Sequence, residues 1–177
     1  MVQNLTYNVK WRMSKTMEIP FERLLIGAPL NLLAQAINRR VVAALHQQGY
    51  TDFRASFHPV FQWCRPEGSR LTELADIIGV SKSAMTQLID VLVRRGYVER
   101  VPDPHDRRAT LIRRTARGWE VNRIARQVVE VAQEEWSRAL GPEVFAEVLR
   151  ALRLLTRLTY APGTLGEDAS EIEDGAG

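Results

Sequence analysis

Arg107 and Arg108 end a loop, Pro102-Asp103-Pro104-His105-Asp106-Arg107-Arg108, that its prolines stiffen. Guanidinium groups on a stiff turn suit a narrow groove of negative potential, such as the minor groove of DNA. Asp103 or Asp106 is placed to pair with an arginine and hold it extended. Upstream, Ser81-Lys82-Ser83 opens a stretch in which Thr86, Gln87 and Arg94 recur between apolar residues. Hydroxyl, amide and cationic groups with few acids among them are what the edges of bases in a major groove accept. For Gln87 two readings stand: a bidentate pair with adenine, or contact with phosphate alone.

The charge distribution agrees with this chemistry. The whole chain carries +3, but the segment from Ser81 to Gly118 carries +5 and leaves the remainder at −2. Its cations are Lys82, Arg94, Arg95, Arg100, Arg107, Arg108, Arg113, Arg114 and Arg117, against Asp90, Glu99, Asp103 and Asp106. Cations clustered on an otherwise near-neutral chain form an electrostatic footprint for phosphate; a solvated charged surface needs no such clustering.

Other chemistries find little support. His46, His58 and His105 lack metal-ligand spacing, so neither a metal nor another cofactor is expected. There is no glycine-rich phosphate loop, nucleophile elbow or paired-carboxylate motif, so an enzyme is not expected. Cys64 is the sole cysteine, which excludes an intrachain disulfide and favours a reducing compartment. An inert buried thiol outweighs a redox sensor there, since Arg65 alone is thin support for a depressed pKa. With 45% hydrophobic and 25% charged residues the balance is that of a soluble globular chain. No apolar run is long enough to span a bilayer or serve as a secretory signal, so a cytoplasmic protein with no membrane partner is expected.

The elements that must position these groups are mostly helical. Leu30, Leu33, Ile37, Val41, Ala44 and Leu45 recur at three- and four-residue steps, and Gly49 closes that helix. Pro29 either kinks it or marks the start of its regular part. A second helix is predicted over 56–65, with Phe57, Val60, Phe61 and Cys64 on one side. At Leu71 a short helix begins, with Thr72 as its N-cap and Leu71, Ala75 and Ile78 inward; Gly79 supplies a turn. Ser81 caps the next helix, which runs to Arg95 with Ala84, Leu88, Val91 and Leu92 as its buried stripe. Residues 97–101 and 109–113 read as a hairpin around the basic loop. A long helix follows over 116–140, broken by Gly141-Pro142, and a last one carries Phe145, Val148, Leu149, Leu152 and Leu155.

Short helix, tight turn, second helix and basic hairpin form the pattern of a winged helix-turn-helix. The stretch from Leu71 to Gly118 resembles the DNA-binding core of the MarR family of bacterial transcriptional regulators. The resemblance rests on Leu71-Thr72-Glu73-Leu74-Ala75, Gly79-Val80-Ser81, Leu92, Gly96-Tyr97-Val98-Glu99-Arg100, Asp103, Asp106-Arg107-Arg108-Ala109, Thr115 and Gly118. It implies a homodimer whose outer helices interlock and whose winged units bind successive major grooves of a pseudo-palindrome. It places Ser81, Ser83, Thr86 and Gln87 on the recognition helix and Arg107 and Arg108 on the wing; Lys82 and Arg94 join them by charge and position. It also implies a cleft for small, often aromatic, ligands, which His58, Phe61, Trp63 and Trp119 would line. Arg114 departs from the pattern, standing where the family usually has leucine, and there it either weakens packing or adds a phosphate contact. Gln87 stands where a basic residue is common. The first helix lacks the cysteine of the family's peroxide-sensing branch.

The expected protein is therefore mainly α with a small β-hairpin wing: a winged helix-turn-helix plus N- and C-terminal dimerisation helices. The expected divisions are an N-terminal arm (1–19), an N-terminal dimerisation helix (20–50), the DNA-binding unit (51–115), C-terminal dimerisation helices (116–161) and an acidic disordered tail (162–177). The expected function is a homodimeric, sequence-specific repressor of double-stranded DNA, modulated by a small aromatic ligand. A winged-helix protein-interaction module without specific DNA binding is the alternative, against which the wing arginines argue.

Overall fold

A computed structural model of the protein describes residues 25–106 and 108–160. The expected arm and acidic tail, the start of the first helix at Pro20, and Arg107 lie outside the described residues. The chain forms α1 (Gly27–Gln47), a 3-10 turn (Ala55–Phe57), α2 (His58–Trp63), β1 (Ser69–Arg70), α3 (Leu71–Ile78), α4 (Lys82–Arg94), β2 (Val98–Pro102), β3 (Thr110–Arg114), α5 (Ala116–Leu140) and α6 (Pro142–Thr159). It is mainly helical, with one antiparallel sheet in the order β1-β3-β2. The hairpin register pairs Val98 with Arg114 and Pro102 with Thr110, while Ser69 of β1 pairs with Ile112.

The apolar period of α1 splits into two parts. Val41, Ala44 and Leu45 are buried, whereas Leu30 and Leu33 lie 40% and 47% exposed. Pro29 falls in the first turn, where its missing N–H costs nothing, so it marks the start of the helix rather than a kink. α1 lies against α5, and Arg40 of α1, itself buried, makes a bidentate pair with Glu135 of α5 at 2.7 and 2.8 Å. Fixed fork geometry makes such a pair stronger than a single ionic contact.

The core beneath the helix-turn-helix is aromatic. The rings of Phe53, Phe57, Phe61 and Tyr97 meet at centroid distances from 5.5 to 6.4 Å, and all four residues are buried. Each such ring stabilises the fold by about 1.5–3 kcal/mol through removal from water, and mixed edge and tilted contacts add to this.

Several expectations need correction. The buried stripe of α4 is Met85, Ile89 and Leu92; Ala84 is exposed, and Leu88 and Val91 are half-buried. The 3.6-residue period is present, but its phase lies one residue later than expected, because the linear Met85 and branched Ile89 fill the core better than a methyl at Ala84 can. The N-cap of α3 is Arg70, not Thr72. The backbone N–H of Arg70 donates to Glu73 Oε2 at 3.1 Å, so the glutamate does the capping and Thr72 sits within the first turn. Leu74 joins Ala75 in the core, while Leu71 and Ile78 are half-buried. The helix expected over 56–65 is a 3-10 turn followed by α2, which stops at Trp63.

Local punctuation matches expectation where it is chemically strong. Gly79 adopts φ 76°, the left-handed region that lets the chain turn between α3 and α4. Gly118 is needed for proximity: a Cβ there would lie 2.1 Å from the carbonyl oxygen of Tyr97. Thr115 seats the start of α5 at this point, donating its hydroxyl to Gly96 O at 2.6 Å and accepting from Gly118 N at 3.1 Å.

Candidate nucleic-acid interface

The Ser81 side chain accepts from Ala84 N at 3.1 Å and starts α4 in register. Lys82, Ser83, Thr86, Gln87 and Arg94 are all exposed on this helix. Thr86 donates its hydroxyl to the Lys82 carbonyl at 2.8 Å, which leaves its methyl and oxygen lone pairs to face outward. Among the described residues Ser83 and Gln87 have no side-chain hydrogen-bond partner, so their groups are available to an incoming ligand. α4 thus presents short polar groups around Gln87, with Lys82 near one end and Arg94 near the other.

The structure thins the basic cluster read from the sequence. Arg100 pairs with Asp90 at 2.8 Å and Arg113 with Glu99 at 2.9 Å. Arg117 pairs with Asp52 at 2.9 Å, and Arg95 donates to the Asp52 carbonyl. Arg114 is buried. Arg95 and Arg114 are thus held by backbone carbonyls, and among the described residues the cations of this segment with neither a carboxylate nor a carbonyl partner are Lys82, Arg94 and Arg108, those of α4 and the wing.

The wing loop is held by an arginine the sequence reading did not single out. Arg70, at the foot of α3, donates from Nε and Nη2 to Asp103 Oδ2 at 3.1 and 2.8 Å, and its Nη2 lies 3.4 Å from Asp106 Oδ2. The other oxygens turn the loop: Asp103 Oδ1 accepts from His105 N at 2.9 Å, and Asp106 Oδ1 from Arg108 N at 3.1 Å. These bonds, first that from His105 and then those from Arg70, hold the Asp103 carboxyl below its ordinary range. The arginine expected to pair with these aspartates therefore comes from outside the hairpin.

A second knot joins the end of α4 to the start of α5. The Tyr97 hydroxyl donates to Asp52 Oδ1 at 2.6 Å, and the Arg117 guanidinium lies 4.6 Å from the Tyr97 ring centroid. Burial pushes the Asp52 carboxyl up, but the Tyr97 and Arg117 contacts outweigh it and leave it below the ordinary value. Asp52 has no local signature; only the fold brings it to Tyr97 and Arg117.

Arg114 neither loosens packing nor reaches for phosphate. It is 6% exposed, its Nη1 donates to the carbonyls of Phe61 and Cys64, and its guanidinium stacks 4.0 Å from the Trp119 ring centroid. It satisfies carbonyls that the end of α2 leaves open. Burial lowers its pKa, and its Nε is buried without a partner.

The four residues expected to line a ligand cleft are differently placed. Phe61 is enclosed by Phe53 and Tyr97, with ring centroids 5.5 and 6.1 Å away. Trp119 is 41% exposed and meets the end of α2 through Arg114. Trp63 is half-buried. His58 is buried, its Nδ1 paired with Asn38 Oδ1 of α1, and burial lowers its pKa. Cys64 is buried, its thiol donating to Ile112 O at 3.3 Å, and burial raises its pKa, which suits an inert thiol. No group of three or more His, Cys, Asp or Glu among the described residues is placed to hold a metal ion, and no helix among them is long and apolar enough to cross a membrane.

A family model described as "MarR family" matches residues 65–109, the segment from the end of α2 through the wing. The multiple antibiotic resistance protein MarR of Escherichia coli is 37% identical over 57 residues, covering 32% of this chain and 40% of that protein. The matched stretch is thus well under half of that relative's length. Among solved structures, CouR from Rhodococcus jostii bound to p-coumaroyl-CoA superposes with TM-score 0.61 at 26% identity, covering 77% of this chain and 94% of that one. A mutant MarR from Escherichia coli complexed with operator DNA superposes with TM-score 0.58 at 24% identity, covering 78% of this chain and 99% of that one. The local sequence match falls on the helix-turn-helix and wing, and the shared fold extends over the flanking helices: the chain belongs to the MarR family.

Proposed function

We propose that the protein is a sequence-specific, double-stranded DNA-binding transcriptional regulator: a homodimeric repressor of a pseudo-palindromic operator, modulated by a small aromatic ligand. The observation that carries this is the survival of Lys82, Arg94 and Arg108 as unpaired cations around the free side chains of Ser83 and Gln87. α4 enters the major groove, where Gln87 and Ser83 meet base edges and Lys82 and Arg94 meet phosphate. Arg107 and Arg108 approach the adjacent minor groove from the wing. That mutant MarR, of the same fold, was solved with operator DNA.

Two copies are needed to fix half-site spacing. Leu25, Ile26, Leu30, Leu32 and Leu33 on and before α1, and Val144, Val148, Leu154, Leu155 and Leu158 on α6, are exposed in the single chain. An apolar surface of this extent marks an interface, and a second copy of the same helices covers it. In this reading residues 51–115 form the DNA-binding unit, and 20–50 and 116–161 the dimerisation helices. Of the four residues expected to line a ligand site, the exposed Trp119 in the first turn of α5 and the half-buried Trp63 at the end of α2 are the ones open to a ligand, and an aromatic molecule bound there would act on the joint between the two parts. CouR was solved bound to p-coumaroyl-CoA, which supports an aromatic ligand.

The test is a gel shift on duplex DNA flanking the protein's own gene, across a salt series. With three or four cations per protomer, the logarithm of affinity should fall against the logarithm of salt with a slope of roughly −5 to −7. Absence of salt-dependent binding to any such duplex contradicts the reading. Stabilisation in a thermal-shift screen by aromatic acids or phenols tests the ligand.

A further inference from the structure

We propose that Arg70 is a positioning residue of the DNA interface, a clamp that sets the wing tip against the recognition helix. The inference rests on the DNA-binding reading above and deepens it. Arg70 belongs to neither DNA-facing element. It pairs with Leu111 of β3, and its backbone N–H is bonded to Glu73, so its main chain is fixed between the sheet and the first turn of α3. α3 packs on α4. A rigid path therefore runs from α4 through α3 to Arg70, and from its guanidinium to the wing.

The clamp acts by geometry and by charge. Each of Asp103 and Asp106 commits one oxygen to a backbone N–H that turns the loop and faces Arg70 with the other. One planar fork thereby sets both turns, which a single flexible ammonium does less well. The loop's own charges cancel, since Asp103 and Asp106 match Arg107 and Arg108. Without Arg70 two bare carboxylates accompany the wing toward phosphate and repel each other; with it one of their two charges is offset, and the loop with its clamp is net positive. The Arg70 side chain is 43% exposed and that of Asp103 only 7%, so the pair sits at the edge of solvent, where opening the loop is otherwise easy.

The experiment is a double-mutant cycle on full-length protein, using as probe a duplex recovered by selection from a random pool with the wild type. Arg70→Gln and Arg108→Ala should each weaken binding by about tenfold per protomer, the size of one charge-assisted contact. The double variant should be little weaker than either alone, because an unclamped wing no longer delivers Arg108. Each variant should lower the salt slope by about two, one contact in each protomer, and the double variant by no more. Arg70→Lys should recover part of the affinity, and hydrogen exchange at the His105 and Arg108 amides should quicken in Arg70→Gln without DNA. Wild-type affinity in a folded Arg70→Gln overturns the proposal. Additive losses, with the slope falling by about four in the double variant, overturn it in favour of Arg70 touching phosphate itself. If Arg70→Gln fails to fold, Arg70→Lys carries the cycle, and additivity there refutes the clamp. Failure of the wild type to bind any duplex removes the DNA-binding reading and the inference with it; unchanged amide exchange at the wing tip refutes the clamp alone.

Discussion

Replacing Arg114 with alanine separates a phosphate contact from a buried structural cation. The guanidinium donates to the Phe61 and Cys64 carbonyls and covers one face of Trp119. Each bond from a charged donor contributes about 1.5–3 kcal/mol, and the stacking about 0.5–2 kcal/mol. Against this stands the cost of burying a cation without a carboxylate partner, several kcal/mol for an ion taken from water. The truncation relieves that cost but leaves two open carbonyls and a cavity beside Trp119. The balance favours a net loss of about 2–4 kcal/mol, or roughly 5–15 °C in melting temperature for a chain of this size. Because Arg114 is 6% exposed, the salt slope of DNA binding should not change. Thermal unfolding at fixed protein concentration and Trp119 emission read the first effect; titration of a DNA duplex over a salt series reads the second. A stable variant whose slope falls by about two, one contact in each protomer, refutes the structural role and restores the phosphate contact.

Other outcomes follow from the same contacts. Val148→Asp or Leu155→Asp, on the exposed face of α6, should convert dimer to monomer in sedimentation and lower DNA affinity; an unchanged mass contradicts the assigned interface. Glu135→Gln leaves the buried Arg40 without its counter-charge and should cost about 2 kcal/mol in urea unfolding, less than for a fully buried pair because the glutamate is partly solvated; a loss near zero shows that the pair is screened. Burial holds the His58 pKa below the ordinary imidazole value of 6.5, so the unfolded chain takes up a proton that the folded chain resists. Stability should therefore fall as pH drops through and below that ordinary value, and His58→Gln should flatten the fall. Parallel pH dependence in both proteins sinks the assignment.

The helix-turn-helix and the wing were legible because their signals are local. Ser81 as a cap, glycine at 79 and 96, and the proline-stiffened turn before Arg107 each act within a few residues. The basic cluster was legible in position but overstated in strength, since pairing partners such as Asp52 for Arg117 are distant in sequence. The same distance hid the contacts that orient the interface: Arg70 lies 33 residues from Asp103, Tyr97 lies 45 from Asp52, and Arg40 lies 95 from Glu135. None has a periodic or motif signature, because each is set by which elements the core brings together. The one-residue phase error on α4 has a different origin. Apolar residues at 84, 85, 88, 89, 91 and 92 satisfy two helical stripes, and only packing against the Phe53–Tyr97 core selects Met85, Ile89 and Leu92. Arg114 was conspicuous as a departure, but its role required the open end of α2 beside it.

Genome-wide footprinting of DNA bound by the full-length protein tests the central claim most directly. Two winged units held at fixed spacing should protect paired, inverted half-sites whose centres lie about one helical turn, roughly 34 Å, apart. Scattered protection without a recurring half-site, or none at all, contradicts the assignment of α4 and the wing as a sequence-reading pair.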